Sequence, residues 1–503
     1  MEKFALFSVF YKDGVERLAY ELNRAGYEIL ATKGTAEYLN SKGIETIKVE
    51  DLVEFPESPG GRVKTLHPMI FSGILARRDY PEDMDYIERN KIPLINFVIV
   101  NLYPFSEKKN LDLKELLEFI DIGGVSLIRA AVKNYRWITL VCDPSDYDMV
   151  STAVAENNID MELRERLALK GFQKVLEYDA VIYSELSRRL NIETSTIPML
   201  FSTARDLRYG ENPHQKGYLF RNLASENTFF NRLQILGGAE LSYNNIVDAA
   251  SAWQLVNEFS EPACAIIKHN VPCGVGIGNS LFEAYEKALR SDEASAYGGI
   301  VAFNGTVEDY LAEAINRLFF EVILAKDFSS SALEIFKRKK RRRVLKVSDG
   351  FEHKLDYRFI DLDLLVQEKD TKPLTKEDLN VVSGELNEEW INDIIFGDVV
   401  VKYVKSNAIV LVRDRMTVGI GGGQTSRVDA LKIAVEKAGD RSKGAILVSD
   451  GFFPFTDSIE IAYKYGIKLI VEPGGSVKDE EIINRAKELG LNLVFTGIRR
   501  FRH

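Results

Sequence analysis

Short apolar runs alternate with amphipathic segments from the start of the chain. Phe4–Phe10 is a nearly continuous apolar run, Val15–Ala25 has helical periodicity, and Glu28–Ala31 is apolar again, so the order predicted is strand, helix, strand. A Thr-Lys-Gly-Thr turn at Thr32–Thr35, a further helix and a strand at Ile44–Val49 follow. After the Pro/Gly-rich stretch Pro56–Gly61 the pattern continues with a buried-type strand at Phe97–Leu102, helices near Leu113–Phe119 and after Gly124, and a strand at Trp137–Cys142. This alternation predicts a parallel sheet covered by helices.

Ser145–Leu190 is mostly helical in pattern, and the polar, Gly/Pro-punctuated segment Leu207–Gln215 opens a new register, which puts a domain boundary at about Ile197. Two α/β blocks follow. One, about Asn245–Leu324, has a strand at Ala263–Lys268 and a helix at Leu281–Leu289. The other, from about Val399 to the end, has strands at Ile409–Arg413, Ala445–Ser449, Lys468–Val471 and Asn492–Phe495. Each has a strand running into a Gly-rich loop and then a helix, which points to an internal duplication.

At 503 residues the chain suggests about three units of the usual size. Its 46% hydrophobic and 28% charged content supports packed cores rather than disorder. With 75 acidic against 65 basic residues, the net charge of −10 disfavours nucleic acid and anionic membrane, so an anionic ligand needs a locally basic site. No apolar run is long enough to span a membrane, and MEKFALFSVFYKDG does not read as a secretory leader; the expectation is a cytoplasmic, unprocessed protein. Cys142, Cys264 and Cys273 are too scattered for a disulfide framework or the usual zinc spacings.

In PGGRVKTLHP (Pro59–Pro68), Arg62 and Lys64 stand two residues apart beside glycines, where cations and backbone N–H groups together could reach an anion. The Thr32–Thr35 turn offers a helix start of the same use. Each also reads as an ordinary turn; two in one domain favour a sugar phosphate. In IDIGGVSLIRAAVKN (Ile120–Asn134), Lys133 is either a helix-end lysine favoured by the macrodipole or a desolvated proton carrier next to Asp121. Tyr103, in NLYPF, is a core aromatic or a proton carrier.

ACAIIKHNVPCGVGIG (Ala263–Gly278) ends a buried strand in Lys268 and His269, where open α/β sheets place ligands. A capped strand end with a hydrogen-bonded histidine is the alternative. A cation beside a base suits attack of an amine on a carbonyl, with an oxyanion to stabilise. VGIGGGQTSR (Val418–Arg427) lacks G-x-G-x-x-G and reads as a small-ligand loop with Arg427 as an anion contact. The run KRKKRRR, Lys337–Arg343, reads as a solvated surface loop rather than a nucleic-acid patch.

PGGRVKTLHP, NLYPF and IDIGGVSLIRAAVKN, followed in order by LRYGENPHQ (Leu207–Gln215), KHNVPCGVGIG, GIGGGQTSR, SDGFFPFTD and a terminal histidine, resemble the AICAR formyltransferase/IMP cyclohydrolase family of purine biosynthesis over nearly the whole chain. The resemblance implies an α/β protein: a methylglyoxal-synthase-like parallel-sheet domain, 1–197, as the cyclohydrolase, then a formyltransferase domain, 198–503, of two cytidine-deaminase-like α/β units at about 198–330 and 390–503. The deaminase likeness is of fold only, since its zinc ligands are missing. The resemblance further implies transfer of a formyl group from 10-formyltetrahydrofolate to AICAR, closure of formyl-AICAR to IMP, no catalytic metal, and a homodimer with the transferase sites at the interface.

Carried over by position, Lys268 would stabilise transition-state charge and His269 would be the transferase base. Arg208, Tyr209, Asn407, Arg427, Phe452, Asp457, Arg499 and His503 would contact nucleotide and folate. For ring closure, Lys133 would carry the proton and Lys64, Tyr103 and Asp121 would polarise and orient, with Lys12, Thr32, Lys33, Gly34, Thr35, Arg62, Thr65 and Asn101 binding substrate. The chain departs from the family pattern at Phe10-Tyr11, at Lys33 and at Ser458. Three other readings stand beside the resemblance: a regulatory protein that binds a phosphorylated metabolite without turnover, a metal-dependent deaminase, and a basic run at Lys337–Arg343 that attracts a folate polyglutamate tail.

Overall fold

A computed structural model describes residues 2–54, 63, 65–192, 195–223, 228–348 and 354–503. Arg62 and Lys64 lie outside the described residues. The chain divides into two compact units, Met1–Phe201 with Asn222–Ala224 and Ser202–Arg221 with Ser225–His503.

The first unit is built on five parallel strands, β1 (Lys3–Val9), β2 (Tyr27–Ala31), β3 (Ile47–Lys48), β4 (Leu94–Asn101) and β5 (Thr139–Val141), in the order β3-β2-β1-β4-β5. Separate apolar clusters cover its two faces, so the central strands are apolar at almost every position. The expected strand at Ile44–Val49 is shorter, because Val49 begins a helix carrying Glu50 and Asp51 in its first turn.

The second unit opens with the two-stranded ladder of β6 (Phe201–Leu207) and β7 (Gly217–Asn222). A first repeat follows: β8 (Leu233–Gly237), β9 (Ala263–Lys268), β10 (Val271–Ile277), β11 (Ile300–Val307), β12 (Val322–Phe328) and β13 (Arg343–Val347). After the exposed hairpin of β14 (Leu355–Ile360) and β15 (Asp363–Glu368) a second repeat adds β16 (Asn380–Ser383), β17 (Ile409–Arg413), β18 (Met416–Gly421), β19 (Ile446–Ser449), β20 (Leu469–Glu472) and β21 (Asn492–Phe495). They form one twelve-stranded sheet, β16-β21-β20-β19-β17-β18-β10-β9-β11-β12-β13-β8, whose halves have the same strand order and directions about the β10/β18 junction. The duplication suggested by the sequence is therefore present, although the first repeat runs on to Val347, beyond 330.

The glycines expected to form loops lie on strands instead. Gly274, Gly276 and Gly278 occupy alternate positions along and just beyond β10; a Cβ at Gly274 would stand 1.9 Å from the Ala288 carbonyl oxygen, and one at Gly276 2.7 Å from that of Ala284. On β18, a Cβ at Gly419 or Gly421 would stand 2.1 or 1.9 Å from the carbonyl oxygens of Ala434 or Ala430. Glycine here lets a helix lie directly on strand backbone. Between the repeats, Thr417 Oγ1 accepts from Val275 N at 3.0 Å and donates to Ser291 Oγ at 2.8 Å.

Candidate active sites

Strand direction decides which residues share a sheet edge. The pairings run β9, β18, β19, β20 and β21 one way and β10, β11, β12, β13 and β17 the other. One edge therefore gathers Lys268 and His269 after β9, Arg427 beyond β18, Phe452 and Asp457 beyond β19, Arg499 and His503 beyond β21, and Asn407 just before β17. Four strand steps separate β9 from β19, about 19 Å at the usual spacing. Within one copy the catalytic candidates and the nucleotide candidates are thus spread along a common edge.

Lys268 and His269 sit on a two-residue hairpin turn. His269 and Asn270 both have positive φ, 55° and 61°, as a type I′ turn requires. For residues other than glycine this backbone costs about 1–2 kcal/mol each. Asp248, on the helix Tyr243–Val256, offsets the cost: its carboxylate accepts from His269 N at 3.1 Å and Asn270 N at 2.7 Å. Lys268 Nζ donates to the Tyr297 carbonyl at 2.8 Å, while the His269 side chain is presented outward. Burial raises the Asp248 pKa despite the two amides it accepts and the nearby His269.

The opposite edge has the same device without the pair. There Asp414 and Arg415 have φ of 54° and 53°, and Asp393 accepts from their amides at 3.0 and 2.6 Å. Asp248 and Asp393, His269 and Asp414, and Gly274 and Gly419 are each 145 positions apart in sequence.

Around Arg427 the second repeat builds a buried polar cluster. Arg427 pairs with Asp450 at 2.8 Å, the side chains 8% and 0% exposed, and donates to the Phe452 carbonyl at 2.8 Å. The two Nη atoms of Arg427 thus serve Asp450 and the Phe452 carbonyl, while its Nε is buried without a hydrogen-bond partner among the described residues. Its ring neighbour is Phe501, which also lies under Arg499 at 4.4 Å and 5.8 Å from His503. Asn407 donates to the Gln424 carbonyl through its backbone at 3.1 Å and its side chain at 2.9 Å. Asp457 is exposed at the start of the helix Asp457–Lys464; Ser458 beside it is buried. Asp248, Asp450 and the buried Glu472 escaped the sequence reading, although the repeated aspartate, 248 and 393, was there to find.

Arg208 and Tyr209 follow β6, with the Arg208 guanidinium 5.5 Å from the Tyr209 ring centre. The basic run is solvated only in part: Lys337, Arg338, Lys340 and Arg341 are exposed, whereas Arg342 and Arg343 are buried. Arg342 is buried and donates to Asn316 Oδ1 and the Leu318 carbonyl, at the carboxyl end of the helix Asp309–Arg317, and Arg343 donates to the Glu240 carbonyl. Lys339 takes the Asn316 carbonyl and Arg338 the Glu313 carboxylate. Helix-end carbonyls are natural cation acceptors; Lys340 and Arg341 remain exposed.

In the first unit the carboxyl ends of β1, β2 and β4 converge. Asn101 accepts from Phe10 N at 2.6 Å and Tyr11 N at 3.0 Å and donates to the Tyr11 carbonyl at 2.9 Å, so its amide braces the loop after β1. Thr35 Oγ1 accepts from Val9 N and Thr32 Oγ1, both at 3.3 Å, while Lys33 and Gly34 stay exposed at the helix start. Lys12 is half-buried beside the Phe10 carbonyl. Tyr103 meets Phe10 edge to face at 5.7 Å.

Thr65 is buried near the amino end of the helix Gly123–Lys133, its Oγ1 2.8 Å from where a Cβ on Gly123 would lie. Asp121 Oδ1 caps that helix by accepting from Gly124 N at 2.6 Å. Lys133 is the last residue of the same helix and is exposed. The two lie about 15 Å apart or more at 1.5 Å per residue, which overturns the expectation of a desolvated lysine next to Asp121.

Two family models match the chain: one described as "AICARFT/IMPCHase bienzyme" over residues 131–437, and one as "MGS-like domain" over residues 14–126. A relative named "Bifunctional purine biosynthesis protein PurH" from Thermoanaerobacter sp. (strain X514) is 44% identical over the full length of both chains. One of the same name from Clostridium botulinum (strain Hall / ATCC 3502 / NCTC 13319 / Type A) is 46% identical, again covering all of both. A solved structure titled "Crystal structure of ForH" is 34% identical, covers 37% of this chain and 96% of that one, and has a TM-score of 0.35.

Proposed function

The chain belongs to the AICARFT/IMPCHase bienzyme family, and from that premise we infer how its two units divide the work. It is a bifunctional enzyme of purine biosynthesis, an AICAR formyltransferase and IMP cyclohydrolase. We assign formyl transfer to 198–503 and ring closure to 1–197. The observation that carries the first assignment is the shared sheet edge of Lys268, His269 and the Arg427 cluster.

In formyl transfer the 5-amino group of AICAR attacks the formyl carbon of 10-formyltetrahydrofolate. That amine is conjugated through the imidazole with the carboxamide and is a poor nucleophile, so catalysis acts on the proton it loses and the oxyanion it creates. His269 accepts the proton and Lys268 lies beside the oxyanion. Arg208, Tyr209, Asn407, Phe452, Asp457, Arg499 and His503 hold nucleotide and folate, with Arg427 fixing Phe452. The separation of about 19 Å between the Lys268-His269 turn after β9 and the Phe452 segment after β19 fits a homodimer in which neighbouring copies complete each site. For ring closure the carboxamide nitrogen attacks the new formyl carbon and water leaves. Tyr103, Asp121 and Lys64 polarise and orient these groups, with Lys12, Arg62, Thr65 and the Thr32–Thr35 turn on the phosphate and ribose. Lys133 is left out of this set because its helix holds it at the far end. The working compartment is the cytoplasm; among the described residues no helix is long and apolar enough to cross a membrane.

The test gives purified protein AICAR and 10-formyltetrahydrofolate and follows tetrahydrofolate and IMP together. Wild type should release both. Lys268→Ala and His269→Ala should each lose at least about 100-fold of both products, and Tyr103→Phe should accumulate formyl-AICAR. Binding of AICAR by the wild type without either product would return the metabolite-binding reading.

A further inference from the structure

We propose that Asp248 is a positioning residue for formyl transfer, its carboxylate fixing the left-handed turn from which the His269 imidazole reaches the substrate amine. The inference rests on the reading of Lys268 and His269 as the transferase pair.

A histidine on an exposed two-residue turn has little packing to orient it. Its direction is set by the backbone beneath, and that backbone is in a conformation non-glycine residues avoid. Both amides that need an acceptor in this geometry, those of His269 and Asn270, end on one carboxylate. Asp248 stands on the helix Tyr243–Val256, and Asn245, one turn earlier, donates to Glu321 at 2.8 Å, tying that helix to the segment before β12. Near the Asp248 carboxylate stand His269 and Glu321, the latter paired with Arg343 at 3.6 Å.

The second repeat separates architecture from chemistry. Asp393 grips the Asp414-Arg415 turn with the same two bonds, at the sheet edge that lacks the Lys-His pair. Losing either aspartate should therefore harm the fold alike, and only the loss of Asp248 should misplace a base.

The experiment compares Asp248→Asn, Asp393→Asn and Asp248→Asn/Asn270→Gly, with His269→Ala alongside, in kcat, AICAR KM and Tm. Asn can accept only one of the two amides and carries no charge. D248N should lower kcat about 100-fold, the cost of an ångström-scale misplacement, with KM changed less than about threefold. D393N should match its Tm loss and keep kcat within about twofold. Glycine at 270, at ease with positive φ, should recover about tenfold in the double variant, which carries the test should D248N not fold. Equal kcat losses in D248N and D393N, or no recovery in the double variant, would overturn the proposal. Undiminished transfer by H269A would instead sink the reading it rests on.

Discussion

Replacing Glu472 by Gln should make the protein progressively more stable than wild type as pH rises. Glu472 ends β20 with 1% of its surface exposed; Oε2 accepts from Phe453 N at 2.5 Å, and Oε1 meets no hydrogen-bond partner among the described residues. Burial, reinforced by Asp479, outweighs the Phe453 amide and Arg427 and pushes the pKa from 4.5 up to about 8. Below the lower value both folded and unfolded chains hold the proton. Between the two values the unfolded chain releases it and the folded chain keeps it, so stability is lost as pH rises through this window at up to about 1.4 kcal/mol per pH unit. Over the whole window the loss comes to about 5 kcal/mol. Gln cannot titrate, so the variant escapes this slope, whatever fixed cost its amide adds. Thermal or urea unfolding of both proteins from pH 6 to 9 would measure it: the stability difference should swing toward the variant by about 1 kcal/mol or more per unit up to pH 8 and then flatten. A difference that stays constant across that range would refute a protonated Glu472.

Gly421→Val puts side-chain carbon into the Ala430 carbonyl, 1.9 Å from the Cβ position, and should cost about 1–3 kcal/mol in urea unfolding. Asp450→Ala leaves the Arg427 guanidinium buried and uncompensated; a loss of about 3–5 kcal/mol is expected, together with weakened AICAR binding measured by calorimetry. Lys133→Ala should keep IMP formation from formyl-AICAR within about threefold, because the side chain is exposed at the far end of its helix from Asp121. A collapse of ring closure in that variant would place Lys133 in a site made by another copy.

Local pattern sufficed where one cause acts. β9, β17 and β21 begin and end on the residues their apolar runs suggest, because each is a short buried strand that gives way to polar residues at its carboxyl end. It failed where the cause lies far along the chain. The glycines of β10 and β18 read as loops in sequence, yet what they accommodate is the carbonyls of helices several residues to well over ten residues later. Arg342 and Arg343 look like solvated charge until the acceptors at Leu318 and Glu240 are known. Lys268 and His269 suggest chemistry from the sequence and SDGFFPFTD enters through the family resemblance, but their common edge follows only from strand directions. The misplaced partnership of Lys133 with Asp121 was avoidable, since the helix Gly123–Lys133 holds its last residue about 15 Å from the end that Asp121 caps.

The edge of the twelve-stranded sheet opposite the Lys268-His269 turn is a mount without an instrument. Its turn has the φ angles and the aspartate clamp of the first, and where the active edge places Arg427 against Gly451 and Asp450 beyond β19, this one has Leu281 against Gly305 and Asn304 near the end of β11. A designer wanting a second acyl-transfer centre would start at Arg413-Asp414, where lysine and histidine could be written onto a backbone already bent to present them. The polar pocket, by contrast, would have to be carved anew from a leucine.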